Sequence, residues 1–282
     1  MDETNETNKA SETNKADVEG ETTARCGGPV ADRVEACERK FAELFGGTPN
    51  AGEGDDPELM QILQRFIFGE VSYTGTLPDH DRELVTCVVL ATYQTLPQLT
   101  AHATAALNVG VTPMELREAM YGCMPFIGCP KTLNAVSTID AVLTSRGFEL
   151  PLPSAATVAD ADRLEAGAAI QAPVYGDEIR DAMAWLPDGF DEAVPRFLTE
   201  DCFGDFHTRD GLDERLRNLL ELVVLVALGG CESQVAAHAR GCLKTGSSTA
   251  DVLTAIVQAL PYTGIPRALN AIRAMRPALG QD

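Results

Sequence analysis

Basic residues are scarce in this 282-residue chain: 22 Lys and Arg stand against 42 Asp and Glu, a formal net charge of −20. Neutralising phosphates takes clustered cations, so this balance excludes nucleic acid and an anionic membrane surface as partners. Long apolar runs are missing as well. The purest, residues 223–230, falls far short of the roughly 20 residues that span a bilayer. The opening Met-Asp-Glu carries neither the basic nor the apolar region of a secretory leader, and the expected setting is the cytoplasm. Eight cysteines form no framework of close, even spacings and are expected to be mostly free thiols. Two-residue alternation between Asn-Gly or Asp-Gly turns is absent where a sheet would need it.

What is present is helical periodicity. Val34, Cys37, Phe41, Leu44 and Phe45 recur at three- and four-residue steps and end at Gly46-Gly47, which predicts an amphipathic helix. Similar stretches run over 57–68, 79–95, 97–109, 113–124 and 131–145. The fold class expected is all-α, with two tandem helical bundles. Residues 1–28 read as a disordered acidic tail: Glu6-Thr7-Asn8-Lys9-Ala10 recurs at 12–16, and no large apolar residue lies between Met1 and Val18. The domains expected are 29–146 and 163–282. Pro151, Pro153 and small residues mark 147–162 as the linker.

The two bundles are copies. A shift of 136 residues brings Gln98, His102, Leu107 and Gly110 onto Gln234, His238, Leu243 and Gly246. The same shift brings Pro125, Gly128, Pro130, Leu133 and Asn134 onto Pro261, Gly264, Pro266, Leu269 and Asn270. Upstream the shift is 135, pairing Phe68-Gly69-Glu70 with Phe203-Gly204-Asp205 and Arg82 with Arg217. Chance similarity between helices would not keep Gly, Pro, His and Asn in register together.

Each copy presents Gln and His four residues apart, hence stacked on one helical face among small side chains. A lone helical His is as readily a packed residue as a reactive one; its duplication favours the second reading. The turns at 125–130 and 261–266 break one helix and start another. The new N-terminus, with Lys131 or Arg267 beside it, offers a place for a carboxylate, although helix punctuation alone explains most of the pattern.

These blocks resemble the carboxymuconolactone decarboxylase family, which also contains the alkylhydroperoxidase D-like proteins. The resemblance rests on Arg82-Glu83-Leu84, Gln98 to Thr112, Phe126-Ile127-Gly128-x-Pro130, and in the second copy Phe203-Gly204-Asp205, Glu232 to His238 and Tyr262 to Asn270. It implies compact helical bundles assembled as homo-oligomers, trimers or hexamers, with sites near subunit contacts. It also implies a small-molecule substrate and no cofactor.

Two chemistries follow from the resemblance. In the decarboxylase type, CO2 leaves a lactone acid and a proton is delivered to carbon. His102 would act as general acid/base, Gln98 would orient it, and Glu70 and Glu83 would set its protonation. Arg82 or Lys131 would hold a substrate carboxylate. His238, Asp205, Gln234 and Arg267 take the matching places in the second copy. The redox type needs Cys-x-x-Cys-x-x-x-His, and here the relay is broken: Thr95 and Gln98 precede His102, and Cys231 and Gln234 precede His238. The relay's glutamate matches Glu83, whereas the second copy has Asn218, so the first copy is better equipped.

Cys129, at a helix start, and Cys123, six residues earlier, could replace the missing dithiol, or be buried and inert. Cys231, His238 and Cys242 share a helical face but lack a fourth ligand, and no metal is expected. His80 and His207 are expected to be solvated, with His207 near enough to assist Asp205. Three functions stay open: a decarboxylase-like enzyme led by His102, a thiol peroxidase or disulfide reductase using Cys123 and Cys129, and a non-catalytic oligomer.

Overall fold

A computed structural model describes residues 32–49 and 54–280; the tail expected over 1–28 lies outside the described residues. The first repeat opens with α1 (Arg33–Phe45). Asp32 caps it through the Val34 and Glu35 amides, and Gly46 closes it at φ 74°. Helix α2 (Pro57–Gly69) crosses α1 so closely that a Cβ on Gly69 would run into the Arg33 carbonyl. Next come α3 (Asp79–Tyr93), α4 (Leu96–Asn108), α5 (Pro113–Gly122), the short α6 (Met124–Ile127) and α7 (Cys129–Ser145).

The second repeat runs the same course. Helix α8 (Arg163–Tyr175) stands where α1 does, followed by α9 (Glu178–Met183) and α10 (Phe190–Phe197). Here α10 widens into a π-helical stretch, Leu198–His207, before α11 (Glu214–Leu228), α12 (Glu232–Lys244), α13 (Thr249–Thr263) and α14 (Ile265–Met275). Local punctuation is duplicated too. Capping boxes pair Thr112 with Glu115 and Ser248 with Asp251. Gly128 and Gly264 both sit at φ 82°, and each is followed two residues later by a proline that suits the first turn of α7 or α14. Among the described residues there is no strand, and no helix is long and apolar enough to cross a membrane.

The repeats are not separate bundles. Residues 81–92 of α3 and 216–227 of α11 are buried throughout, and both helices belong to one continuous apolar core. Both helices carry apolar residues on every side toward their C-terminal halves, and the charged residues they bury, Asp81, Arg82, Glu83, Arg217 and Glu221, are held by polar partners. Across the seam α13 packs on α3, and α5 and α6 pack on α11. The coil after α7 is stitched in place by Arg117, which donates to the Leu152 and Pro153 carbonyls at 3.3 and 2.9 Å.

Candidate active site

In the first repeat α3 and α4 bring Glu83 and His102 together. Glu83 Oε2 lies 2.8 Å from His102 Nδ1, and the two residues are 2% and 7% exposed. A buried carboxylate at Nδ1 takes that N–H and leaves Nε2 as the working nitrogen. Aromatic rings form the walls. Phe45 from α1 and Tyr262 from α13 meet the imidazole edge-to-face at 5.7 and 5.5 Å, and Phe41, Phe45 and Phe68 pack on one another behind it. The Tyr262 hydroxyl stands 3.4 Å from His102 Nε2. Desolvation, followed by the Glu83 charge, pushes this phenol well above its ordinary range, so it remains an O–H donor.

The second repeat keeps the frame and changes the chemistry. His238 is flanked by Tyr175 of α8, the counterpart of Phe45, and by Phe126 of α6, the counterpart of Tyr262. The carboxylate at the Glu83 position is gone. Asn218, at the position of Glu83, accepts the Tyr175 hydroxyl proton at 2.8 Å and donates to Glu214 Oε1 at 3.0 Å. Tyr175 also lies 3.2 Å from His238 Nδ1, and burial lowers the pKa of His238. One turn further along α11, Glu221 reaches 3.6 Å from the same nitrogen.

The remaining residues singled out in the sequence lie in other places. Glu70 and Asp205 do not reach the imidazoles. They pair with Arg33 and Arg163, at 3.1 and 2.6 Å, and so dock α1 and α8 onto the rest of their repeats. Arg82 is 3% exposed and donates to the Leu77 and Thr74 carbonyls at 2.8 and 2.7 Å and to Gln258 at 3.1 Å, so its guanidinium is held in the core. Lys131 and Arg267 serve the C-termini of the central helices: Lys131 reaches the Thr92 carbonyl at 3.3 Å, and Arg267 donates to the Ala227 and Leu228 carbonyls. Gln98 and Gln234 are exposed one turn before their histidines.

Cys129 is exposed at the start of α7, whereas Cys123 is buried, donates to the Ala119 carbonyl at 3.2 Å, and is pushed far up by desolvation. The expectation for His207 needs correcting. Its side chain is 1% exposed, held between Glu214 and Glu221, because the π-helical stretch turns it inward rather than toward solvent. Burial alone would lower its pKa, but Glu221, Cys202 and Glu214 together raise it well above the ordinary value. His80 is half-buried, with Asp81 at 2.9 Å and Glu115 at 3.3 Å.

Sequence reasoning missed the aromatic walls. Phe45 and Tyr175 each close the first helix of a copy just before a Gly, a shared signal obscured because few other identities align there. Tyr262 lies inside a repeated block, but nothing in the chain says that it crosses to the other copy's histidine.

Comparison with known proteins agrees with this duplicated plan. The family model described as the carboxymuconolactone decarboxylase family matches residues 57–141 and again 192–277. The 4-carboxymuconolactone decarboxylase of Acinetobacter baylyi is 33% identical over 91 residues, spanning 32% of this chain and 68% of that protein. A solved structure from Burkholderia xenovorans LB400, provisionally described as a gamma-carboxymuconolactone decarboxylase subunit, gives a TM-score of 0.49 at 19% identity. That match covers 90% of this chain and 99% of the other. With both halves matched, the chain belongs to the carboxymuconolactone decarboxylase family, as two copies of its domain in tandem.

Proposed function

We propose that the chain is a decarboxylase-type enzyme acting on a small carboxylated lactone, with its working site at His102. The observation that carries this reading is the buried Glu83–His102 pair at 2.8 Å, whose free Nε2 faces a phenol from the other repeat. The bond from the ring to the carboxylate breaks, CO2 leaves, and the electron pair moves onto the lactone carbonyl as an enolate. The Tyr262 O–H donates to that oxyanion. His102, as imidazolium with Nδ1–H on Glu83, delivers the Nε2 proton to carbon and is then reprotonated from solvent. At 3.4 Å the contact between Tyr262 and His102 is weaker than an ordinary hydrogen bond, so a substrate oxygen can replace it.

A thiol cycle through Cys123 and Cys129 draws no support from a thiol buried against a backbone carbonyl. A homo-oligomer is supported by a duplicated apolar stripe: Leu59 and Ile62 on α2 are 60% and 65% exposed, and their counterparts Val194 and Phe197 on α10 are 39% and 58% exposed. A cytoplasmic setting agrees with the unpaired state of every described cysteine.

The test is turnover of 4-carboxymuconolactone and related lactone acids, followed as CO2 release, by the wild-type chain and by His102→Ala. Turnover by the wild type that is abolished in the variant supports the reading. Undiminished turnover by the variant, or none by the wild type across the panel, overturns it.

A further inference from the structure

The second repeat buries a group of side chains that the first does not possess. Cys202 and His207 lie on the π-helical stretch and Glu221 lies midway along α11, and one donor atom from each falls within 4.8 Å of the other two. The three residues are 3%, 5% and 5% exposed. At the matching positions the first repeat carries Ile67, Ser72 and Thr86. The fold therefore does not require a thiol, an imidazole and a carboxylate in this place.

Three observations point to a ligand. Glu221 Oε1 approaches His207 Nε2 at 2.5 Å, but its other oxygen, Oε2, is buried with no hydrogen-bond partner and has His238 Nδ1 near it, at 3.6 Å. Such an orphan is costly, and buried carboxylate oxygens ordinarily have a donor or an ion. Next, a small cavity of about 10 Å³ opens beside His207 and Glu221, room for about one water. Finally, Glu214 lies 3.1 Å from His207 Nδ1, the outer carboxylate that typically orients a metal-binding imidazole and raises its basicity.

We propose that Cys202 Sγ, His207 Nε2 and Glu221 bind a single divalent transition-metal ion of the zinc type, with a water from the adjoining cavity as fourth ligand. A thiolate, an imidazole and a carboxylate suit zinc, cobalt(II) or iron(II) and do not suit magnesium or calcium, which take oxygen ligands. The charges also close: one thiolate and one carboxylate balance the ion, so the buried site is neutral. Binding displaces the thiol proton of Cys202 and the Nε2 proton of His207 to solvent, while Nδ1–H stays on Glu214. Nε2 and Oε1 must then separate to ligand spacing, which rotation of the Glu221 carboxylate supplies by bringing Oε2 onto the ion. This site is independent of the chemistry assigned to His102.

The experiment uses the full chain, stripped with chelator and titrated with cobalt(II) alone, then with zinc. Expected are one equivalent per chain, intense visible bands of a four-coordinate ion and a sulfur-to-cobalt charge-transfer band, all removed by zinc. Cys202→Ser loses the charge-transfer band and Glu221→Gln weakens uptake by at least about tenfold, with helical circular dichroism retained. Glu214→Gln, outside the ligand set, weakens it by roughly 10–100-fold. Failure of the wild type to take up one equivalent, a spectrum without a thiolate band, or uptake unchanged in Cys202→Ser and Glu221→Gln overturns the proposal. Should Cys202→Ser fail to fold, the band in the wild type still decides.

Discussion

Tyr262 belongs to the second repeat, yet its hydroxyl stands 3.4 Å from Nε2 of His102 in the first. The exchange is mutual, since Phe126 of the first repeat packs 5.6 Å from His238 of the second. Each histidine is thus walled by its own repeat's first helix and by its neighbour's aromatic. Tyr262→Phe keeps the ring and removes only the O–H. If that group is the oxyanion donor, kcat falls about 10²–10³-fold while the melting temperature hardly moves. Steady-state kinetics beside a thermal melt check both halves; an unchanged kcat removes Tyr262 from the chemistry.

Glu83→Gln keeps the shape of the dyad and deletes the charge that steadies an imidazolium. The expected loss in kcat is about 10²–10⁴-fold, near that of His102→Ala. His238→Ala, in the copy where Asn218 replaces the glutamate, is expected to leave turnover within about twofold of the wild type, since the proposed chemistry runs at His102 alone. Comparable losses in Glu83→Gln and His238→Ala would place working chemistry in both repeats.

Much of this fold was legible because its signals are local. Apolar spacing located the helices, and the Gly128-x-Pro130 and Gly264-x-Pro266 punctuation marked their breaks within a residue or two. His102 was found because it is repeated as His238, and Glu83, which Asn218 replaces in the second copy, was found only through the family resemblance. What periodicity cannot supply is the partner of a face. Glu70 and Asp205 recur as acids in both copies, but they answer Arg33 and Arg163, the first residues of α1 and α8, and not the histidines. Arg82 and Arg217 recur because the same tight turn presents carbonyls to both. The linker was read as separating two bundles, whereas the apolar faces of α3 and α11 find each other and fuse the cores. One signal was available and passed over: Glu221 interrupts an otherwise apolar run, a position where a charge needs a reason.

His80 supplies a pH dependence whose sign follows from its neighbours. Burial opposes its protonation, but Asp81 and Glu115 raise its pKa above the ordinary value. A histidine raised in the folded state contributes stability fully present below its unfolded pKa, about 6.5, and lost as pH rises through the folded value. The difference in melting temperature between wild type and His80→Gln is therefore expected to be largest in mild acid and to shrink above neutrality. A difference that is flat, or that grows with pH, contradicts this assignment.

Glu118 holds the seam between the repeats. It is fully buried on α5, accepts from Arg209 Nε and Nη2 at 2.8 and 3.0 Å, and has Arg117 at 3.3 Å and Arg217 at 3.7 Å. Its counterpart in the second repeat is Thr254, whose hydroxyl accepts the Thr76 amide, so the two sides of the seam are closed by different chemistry. Removing one partner from a buried ion cluster leaves the others uncompensated, which costs about 3–5 kcal/mol. Glu118→Ala is expected to lose stability of this order in chemical denaturation. Pairing it with Arg209→Ala should recover part of the loss, because the second change withdraws a stranded charge. Strictly additive losses in the double variant would mean that Glu118 acts through packing, and the seam would then owe its hold to the shared apolar core of α3 and α11.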